Sequence, residues 1–338
     1  MHRDTSTRPN GWLILMQQIL VIKLGALGDV VMATPLLDAI LDHHASDQVT
    51  LLTSPAFAPI FAPWPRLAVA TRERRGVRNM LALLRWLRRT RFDRIYDLQG
   101  NDRTGWLCRL SGSAVRIGNH PGPRYTHHPA DAWHGQCHIF ERMCAVLASA
   151  GVVVTARTPL LPASAQEIAA VDAWLAAQAG DARPLALLHA GASPKRPEKR
   201  WPYFGTLARR LREAGYRVVW LGSTADAWLN EGYRAADDLD ASGLFDILAL
   251  AELGRRAAFA VTNDSGPMHV LAASGIPVFG LFGPSDWRRN HALGQADHVI
   301  AGVELLERHA GQRSADCLQA IDVDLVCERL VASGVVTL

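Results

Sequence analysis

The sequence has no run of roughly 18 or more apolar residues, the length a helix needs to cross a bilayer. No membrane-spanning helix is therefore expected, and any membrane would be met from outside. It has no C-x-x-C pair. Its five cysteines, Cys108, Cys137, Cys144, Cys317 and Cys327, are odd in number and scattered. That fits neither a disulfide framework nor a zinc site, and points to a reducing, cytoplasmic compartment. The opening MHRDTSTRPNGWLIL has only a short apolar stretch and no small-residue cleavage site, so it does not read as a signal peptide. Met16, just ahead of the first expected strand, competes with Met1 as the start. Acidic residues are almost missing from 72–94, where nine arginines face only Glu73 and Asp93.

What is present is an ordinary globular composition, 49% apolar and 20% charged over 338 residues. That length suggests two domains. The net charge of +4 and pI near 8.9 are too small to argue for nucleic acid, but suit anionic ligands.

Along the chain, apolar runs and glycine turns alternate with helical periods. Strands are expected at 19–24, 49–53, 93–98, 184–189, 217–221, 257–262 and 277–282. Helices are expected at 30–41, 77–90, 136–150, 166–178, 202–214, 225–237, 266–274 and 322–333. The pattern predicts α/β architecture with parallel sheets. A Pro- and Ala-rich crossing near 152–166 divides it into two Rossmann-like domains facing each other across a cleft, at 16–160 and 161–316. The tail 317–338 is expected to cross back to the first domain. In such sheets ligands sit at the carboxyl ends of strands. In the 77–90 helix, Met80, Leu83, Leu84 and Leu87 share one side and Arg78, Arg85 and Arg89 the other. That basic face reads either as solvated or as leaning on anionic lipid or an acidic glycan. The histidine-rich loop 117–135 has no closed metal-ligand spacing.

Four stretches at strand ends carry chemistry. The first is Gly25-Ala26-Leu27-Gly28-Asp29. It is neither a Gly-x-Gly-x-x-Gly loop nor followed by a Walker lysine. A carboxylate among glycines suits a general base for an approaching hydroxyl, or else a plain helix cap. The second is the small-residue loop His189–Ser193 with Lys199 and Arg200 ahead of Trp201-Pro202. Two cations over such a loop suit a diphosphate, or else form a solvated basic loop. The third is Asn263-Asp264-Ser265-Gly266-Pro267-Met268-His269. Exposed amides at the helix start near Gly266 suit an anion, Ser265 and His269 add polar groups, and Asp264 suits sugar hydroxyls; an empty cap is the alternative. The fourth, Leu281-Phe282-Gly283-Pro284-Ser285-Asp286, reads as a strand-to-loop turn flanking the same cleft or as an ordinary one. The only Asp-x-Asp, Asp322-Val323-Asp324, lies in the tail and reads as a helix start rather than a metal site.

Taken in order, ILVIKLGALGDVVMATPLL, FDRIYDLQGNDRTGWLCRLSG, LLHAGAS, EKRWPYFGTLARRL, VTNDSGPMHVLAASGIPVFGLFGPSDW and the closing CLQAIDVDLV resemble glycosyltransferase family 9, the ADP-heptose:lipopolysaccharide heptosyltransferases. The likeness covers roughly 18–330. It implies a GT-B fold and an inverting, metal-independent transfer with no cofactor, from a nucleotide sugar such as ADP-heptose to a lipid-linked or lipopolysaccharide acceptor. It implies Asp29 as the base and Lys199 on the donor diphosphate, with Ser193 and Arg200 beside it. Asp264, Ser265, Gly266 and His269 would meet donor sugar and phosphate, with serine where threonine is commoner. Asp226 would hold the ribose. Gly28, Gln99, Arg103, Arg124, Tyr125 and His127 would form the acceptor side. A peripheral contact with the inner face of the cytoplasmic membrane is expected, and nucleic acid is not. The competing readings are a sugar-nucleotide epimerase and a non-catalytic nucleotide-sugar-binding protein on the same scaffold.

Overall fold

The computed structural model describes residues 5–7, 13–72, 76–130, 137–178, 182–307 and 315–337. Glu73, Arg74 and Arg75 of the basic stretch and the end of the histidine-rich loop, 131–136, lie outside the described residues. The chain divides into two compact units, Met1–Ala156 and Arg157–Leu338.

The first unit opens with an antiparallel pair, β1 (Thr5–Thr7) and β2 (Leu13–Leu15). There follow β3 (Gln18–Ile22), α1 (Leu27–Met32), α2 (Thr34–His43), β4 (Gln48–Thr53), a 3-10 turn at Pro55–Phe61, β5 (Leu67–Thr71) and α3 (Val77–Thr90). Next come β6 (Arg94–Asp97), α4 (Asp102–Ser111), β7 (Val115–Ile117) and α5 (Ile139–Ala148). The five strands β5-β4-β3-β6-β7 form one sheet, parallel throughout. Apolar runs such as Ile19–Ile22 are buried on both sides, as strands in a covered parallel sheet must be. Chain order reverses at β3: β4 lies on one side of it and β6 on the other. Such a reversal leaves a crevice at the carboxyl ends of β3 and β6.

The helix expected at 30–41 is two helices. Pro35 has no N–H to give to the carbonyl of Val31, and the Thr34 hydroxyl donates to that carbonyl instead, at 2.7 Å. Helix α4, which periodicity missed, is fixed at its start by a reciprocal cap between Asn101 and Thr104.

The second unit contains α6 (Ala165–Ala177), β8 (Leu185–His189), a 3-10 turn at Pro197–Lys199, α7 (Phe204–Glu213), β9 (Arg217–Trp220), a 3-10 turn at Thr224–Asp226 and α8 (Ala227–Glu231). Then come β10 (Leu239–Asp240), α9 (Ile247–Gly254), β11 (Phe259–Asn263), α10 (Gly266–Ala272), β12 (Val278–Phe282), α11 (Trp287–Asn290), β13 (Val299–Ala301), α12 (Gly302–Glu307) and α13 (Val323–Ala332). The parallel sheet runs β10-β9-β8-β11-β12-β13, so its order reverses at β8. The crevice here lies beyond β8 and β11. The helix expected at 225–237 is a 3-10 turn and α8, which stops at Glu231 ahead of Gly232; at its start the Asp226 carboxylate accepts from the Ser223 amide and hydroxyl. Helix α9 was missed because both of its faces are apolar or buried, leaving no period to read.

Val326, Cys327 and Leu330 of α13 pack into the second unit's core with Trp201, Phe204, Leu207 and Leu211. Each fully buried aliphatic side chain of this kind stabilises the packing by about 1.5–3 kcal/mol. Asp322 caps α13 by accepting from the Leu325 amide.

Candidate active site

In the first unit a cluster of candidate residues grows from the carboxyl ends of β3 and β6. Gly25 has φ +144°, and a Cβ there would stand 3.1 Å from the Phe57 ring, so the turn leaving β3 requires glycine. The Ser54 hydroxyl donates to the Leu24 carbonyl below it. Asp29 then falls in the first turn of α1, where a carboxylate meets free amides. The helix cap is Ala26, not Asp29, so the plain-cap reading fails.

Asp29 instead faces Lys23. That side chain is only 2% exposed, with Nζ 3.7 Å from Asp29 Oδ2 and donating to the Leu98 carbonyl at 3.2 Å. Burial pushes the Lys23 ammonium below its usual pKa, while Asp29 and Asp97 pull it up. Gln99 Oε1 accepts from the Leu24 amide at 2.8 Å and binds the two strand ends together. Asp97 is fully buried and accepts from the Tyr125 hydroxyl at 2.7 Å and the Gly100 amide at 2.9 Å. Burial raises the Asp97 carboxyl, and these donors oppose the rise. Lys23, Asp29, Asp97, Gln99, Asn119 and Arg142 line a cavity of about 160 Å³.

The other expected acceptor residues separate. Gly28 is buried within α1. Tyr125 is 5% exposed and its hydroxyl donates to Asp97. Burial and Asp97 push its pKa far up. Arg124 is ion-paired with Asp102 and lies 5.4 Å over the Trp106 ring. Arg103 and His127 are exposed, His127 bonding the Thr126 hydroxyl through Nδ1 at 3.0 Å.

In the second unit a separate cluster forms beyond β8 and β11. Lys199 Nζ stands 2.5 Å from Asp264 Oδ2, and the Ser285 hydroxyl donates to the same oxygen at 2.5 Å. The second, third and fourth stretches therefore converge on one carboxylate that is 9% exposed. The solvated reading fits Lys195 and Arg196, both exposed, but not Lys199. Ser265 makes no capping hydrogen bond for α10; its hydroxyl lies 3.1 Å from His189 Nδ1. The amides at Gly266 thus remain open at the helix start. His269 is buried within α10. His189 is wholly buried, which drives its pKa down to about 4 against the opposing pull of Asp226. Gly191 lies between the two. A Cβ on it would come within 2.8 Å of Asp226 Oδ1 and 3.0 Å of His189 Nε2. Arg200 turns away, its guanidinium 5.7 Å over the Trp228 ring, and Ser193 is exposed on the loop.

Sequence reading missed the residues that hold each cluster in place within its own unit. Asn263 Nδ2 donates to the Ala190 and Gly191 carbonyls at 2.8 and 3.2 Å, and its Oδ1 accepts from the Trp201 amide at 3.0 Å. One fully buried side chain thereby ties both parts of the second stretch to the third. Lys23 had a signal, as the one charge inside the apolar run ILVIKL. Asp97 and Asn263 had none beyond being polar at a strand end. Among the described residues no group of three or more His, Cys, Asp or Glu side chains is arranged to hold a metal ion.

Residues 80–317 match the model for glycosyltransferase family 9 (heptosyltransferase). A lipooligosaccharide heptosyltransferase 2 of Haemophilus influenzae is 29% identical over 143 residues, 39% of this chain and 41% of that protein. The chain therefore spans about two fifths of that relative's length. A lipopolysaccharide heptosyltransferase 1 of Pseudomonas aeruginosa is 29% identical over 297 residues, 80% of this chain and 79% of that one. The solved structure of the Escherichia coli ADP-heptose lps heptosyltransferase II superposes with a TM-score of 0.75 at 23% identity. That superposition covers 94% of this chain and 98% of that one, a likeness of fold.

Proposed function

The chain belongs to glycosyltransferase family 9 and has the GT-B fold, and we propose that it is an inverting, metal-independent heptosyltransferase working at the cytoplasmic side of the cell envelope. The donor is a nucleotide diphosphate sugar, ADP-heptose in the simplest case, and the acceptor a lipopolysaccharide-core or related envelope saccharide. The observation that carries the reading is the Lys199–Asp264–Ser285 cluster beside the open amides of α10. It supplies a fixed cation and hydrogen-bond donors to a leaving diphosphate.

In the reaction an acceptor hydroxyl attacks the anomeric carbon from the face opposite the diphosphate. Asp29 takes the hydroxyl proton as the new C–O bond forms. The bond to the diphosphate breaks, its electron pair passes to the phosphate oxygen, and Lys199 and the backbone amides balance that charge. Removing one such group typically costs about 10²–10³-fold in rate. Lys23 orients Asp29. Asp226 and the Gly191 loop receive the nucleotide, and Gln99 and Arg103 the acceptor.

The test is the Asp29→Ala variant. Turnover should fall about 10³-fold or more while donor affinity, measured by calorimetry, stays within about threefold. Near-normal turnover would remove Asp29 from the role. Activity should persist in EDTA, and loss restored by magnesium would overturn the metal-free mechanism. Conversion of donor without acceptor would instead indicate an epimerase.

A further inference from the structure

Helices α3 and α4 lie side by side on the same face of the first sheet. Leu83 and Leu87 of α3 and Leu107 and Cys108 of α4 share one apolar cluster with Leu20, Ile22 and Ile95. Arg88 Nε also donates to the Leu110 carbonyl at 2.9 Å, tying the helices together. Their outward residues therefore belong to one surface.

That surface is unusual in two ways. Residues 76–92 contain five arginines and no acid. Among the described residues the guanidinium groups of Arg78, Arg85, Arg89 and Arg109 make no hydrogen bond or ion pair, whereas Arg66 and Arg124 of the same unit each pair with an aspartate. Between these arginines stand large apolar side chains left in water: Val77 at 77%, Leu81 at 46%, Trp106 at 50% and Leu110 at 45% exposure. At 100° per residue Val77, Leu81, Arg85 and Arg88 form one stripe of α3, and Trp106, Arg109 and Leu110 one side of α4.

A solvated face explains the charge but not the exposed Trp106, Leu81 and Leu110. A protein-binding patch explains the apolar groups but not the exclusion of acids. Arginine forks that match phosphate, interleaved with aliphatic and tryptophan side chains, match the boundary between lipid headgroups and acyl chains. We infer that the outer face of α3 and α4 docks on an anionic lipid bilayer, the arginines on phosphates and Val77, Leu81, Trp106 and Leu110 in the headgroup layer. This deepens the reading of an envelope acceptor by naming the surface that meets its membrane. It is measured without turnover, so the two can fail separately.

The experiment is co-sedimentation of the full chain with vesicles of phosphatidylcholine alone and with about one third phosphatidylglycerol added. The protein should bind the anionic vesicles, release them with rising salt, and ignore the neutral ones. Arg78→Glu/Arg85→Glu/Arg89→Glu should weaken binding about 10²-fold, while Arg78→Lys/Arg85→Lys/Arg89→Lys retains most of it. Turnover on a water-soluble acceptor should stay the same in both. A second measurement needs no charge reversal: lipids brominated near the headgroup should quench wild-type fluorescence more than that of Trp106→Phe. Equal binding by the Glu variant, no preference for anionic vesicles, or identical quenching of the two proteins would overturn the assignment.

Discussion

Replacing Lys199 by methionine separates what that side chain does for donor binding from what it does for the fold. Its ammonium is 2.5 Å from Asp264 Oδ2, and that carboxylate is 9% exposed with the Ser285 hydroxyl as its other side-chain partner. Taking the cation away leaves a nearly buried charge with a single neutral donor. Breaking a buried pair this way costs about 3–5 kcal/mol. Lys199 keeps 19% of its side chain in water, so about 2–3 kcal/mol is expected. For a unit of this size each kcal/mol moves Tm by about 2–4 °C, giving a fall of about 4–12 °C. A charge-assisted hydrogen bond to the diphosphate is worth about 1.5–3 kcal/mol, so donor affinity should drop about 10- to 150-fold. The double variant Lys199→Met/Asp264→Asn removes the orphaned charge. Its Tm should recover most of the loss, whereas its donor affinity should not. Thermal unfolding without ligand and calorimetry with the nucleotide donor read the two quantities. If Tm of the single variant stays within about 1 °C, the pair is not buried as described. If donor affinity returns together with stability in the double variant, Lys199 serves only the fold.

His189 gives a pH dependence. Its folded pKa of about 4 lies below the ordinary 6.5, so between these values the unfolded chain takes up a proton that the folded chain refuses. Stability should therefore fall as pH is lowered from about 6.5 to 4, by up to about 3 kcal/mol from this residue. Urea unfolding of His189→Gln over that range should be flatter than wild type, and parallel curves would refute the assignment. Lys23→Met keeps the shape of a buried side chain but frees Asp29. Turnover should fall about tenfold through misplacement of the base, with donor affinity unchanged. A proportional loss in donor affinity would instead mean general disruption.

The sequence made the element types legible wherever a strand was buried on both sides and closed by a turn, as at ILVIKL with Gly25 or FAVTN before Asp264-Ser265. It failed at β5, β7, β10 and β13, the four edge strands of the two large sheets, where one side of the strand has no neighbour and, in all but β5, only two or three residues carry the pattern. It gave no sign that the Tyr125 hydroxyl donates to the buried Asp97, because a local pattern does not show which carboxylate a distant hydroxyl will meet.

By itself the sequence determined two α/β units and the order of the chemical stretches, with a carboxylate in the first unit and a lysine, an aspartate and open amides in the second. Hydrophobic period and glycine turns are local properties, readable within a few residues. Only the tertiary structure decided the partnerships. Gln99 reaches the Leu24 amide across 75 positions because β3 and β6 are neighbours in the sheet. Lys199 and Ser285 meet on Asp264 because β8, β11 and β12 lie in that spatial order. Strand order arises from crossovers that place distant segments side by side, and no local pattern encodes which carboxylate a buried lysine will find.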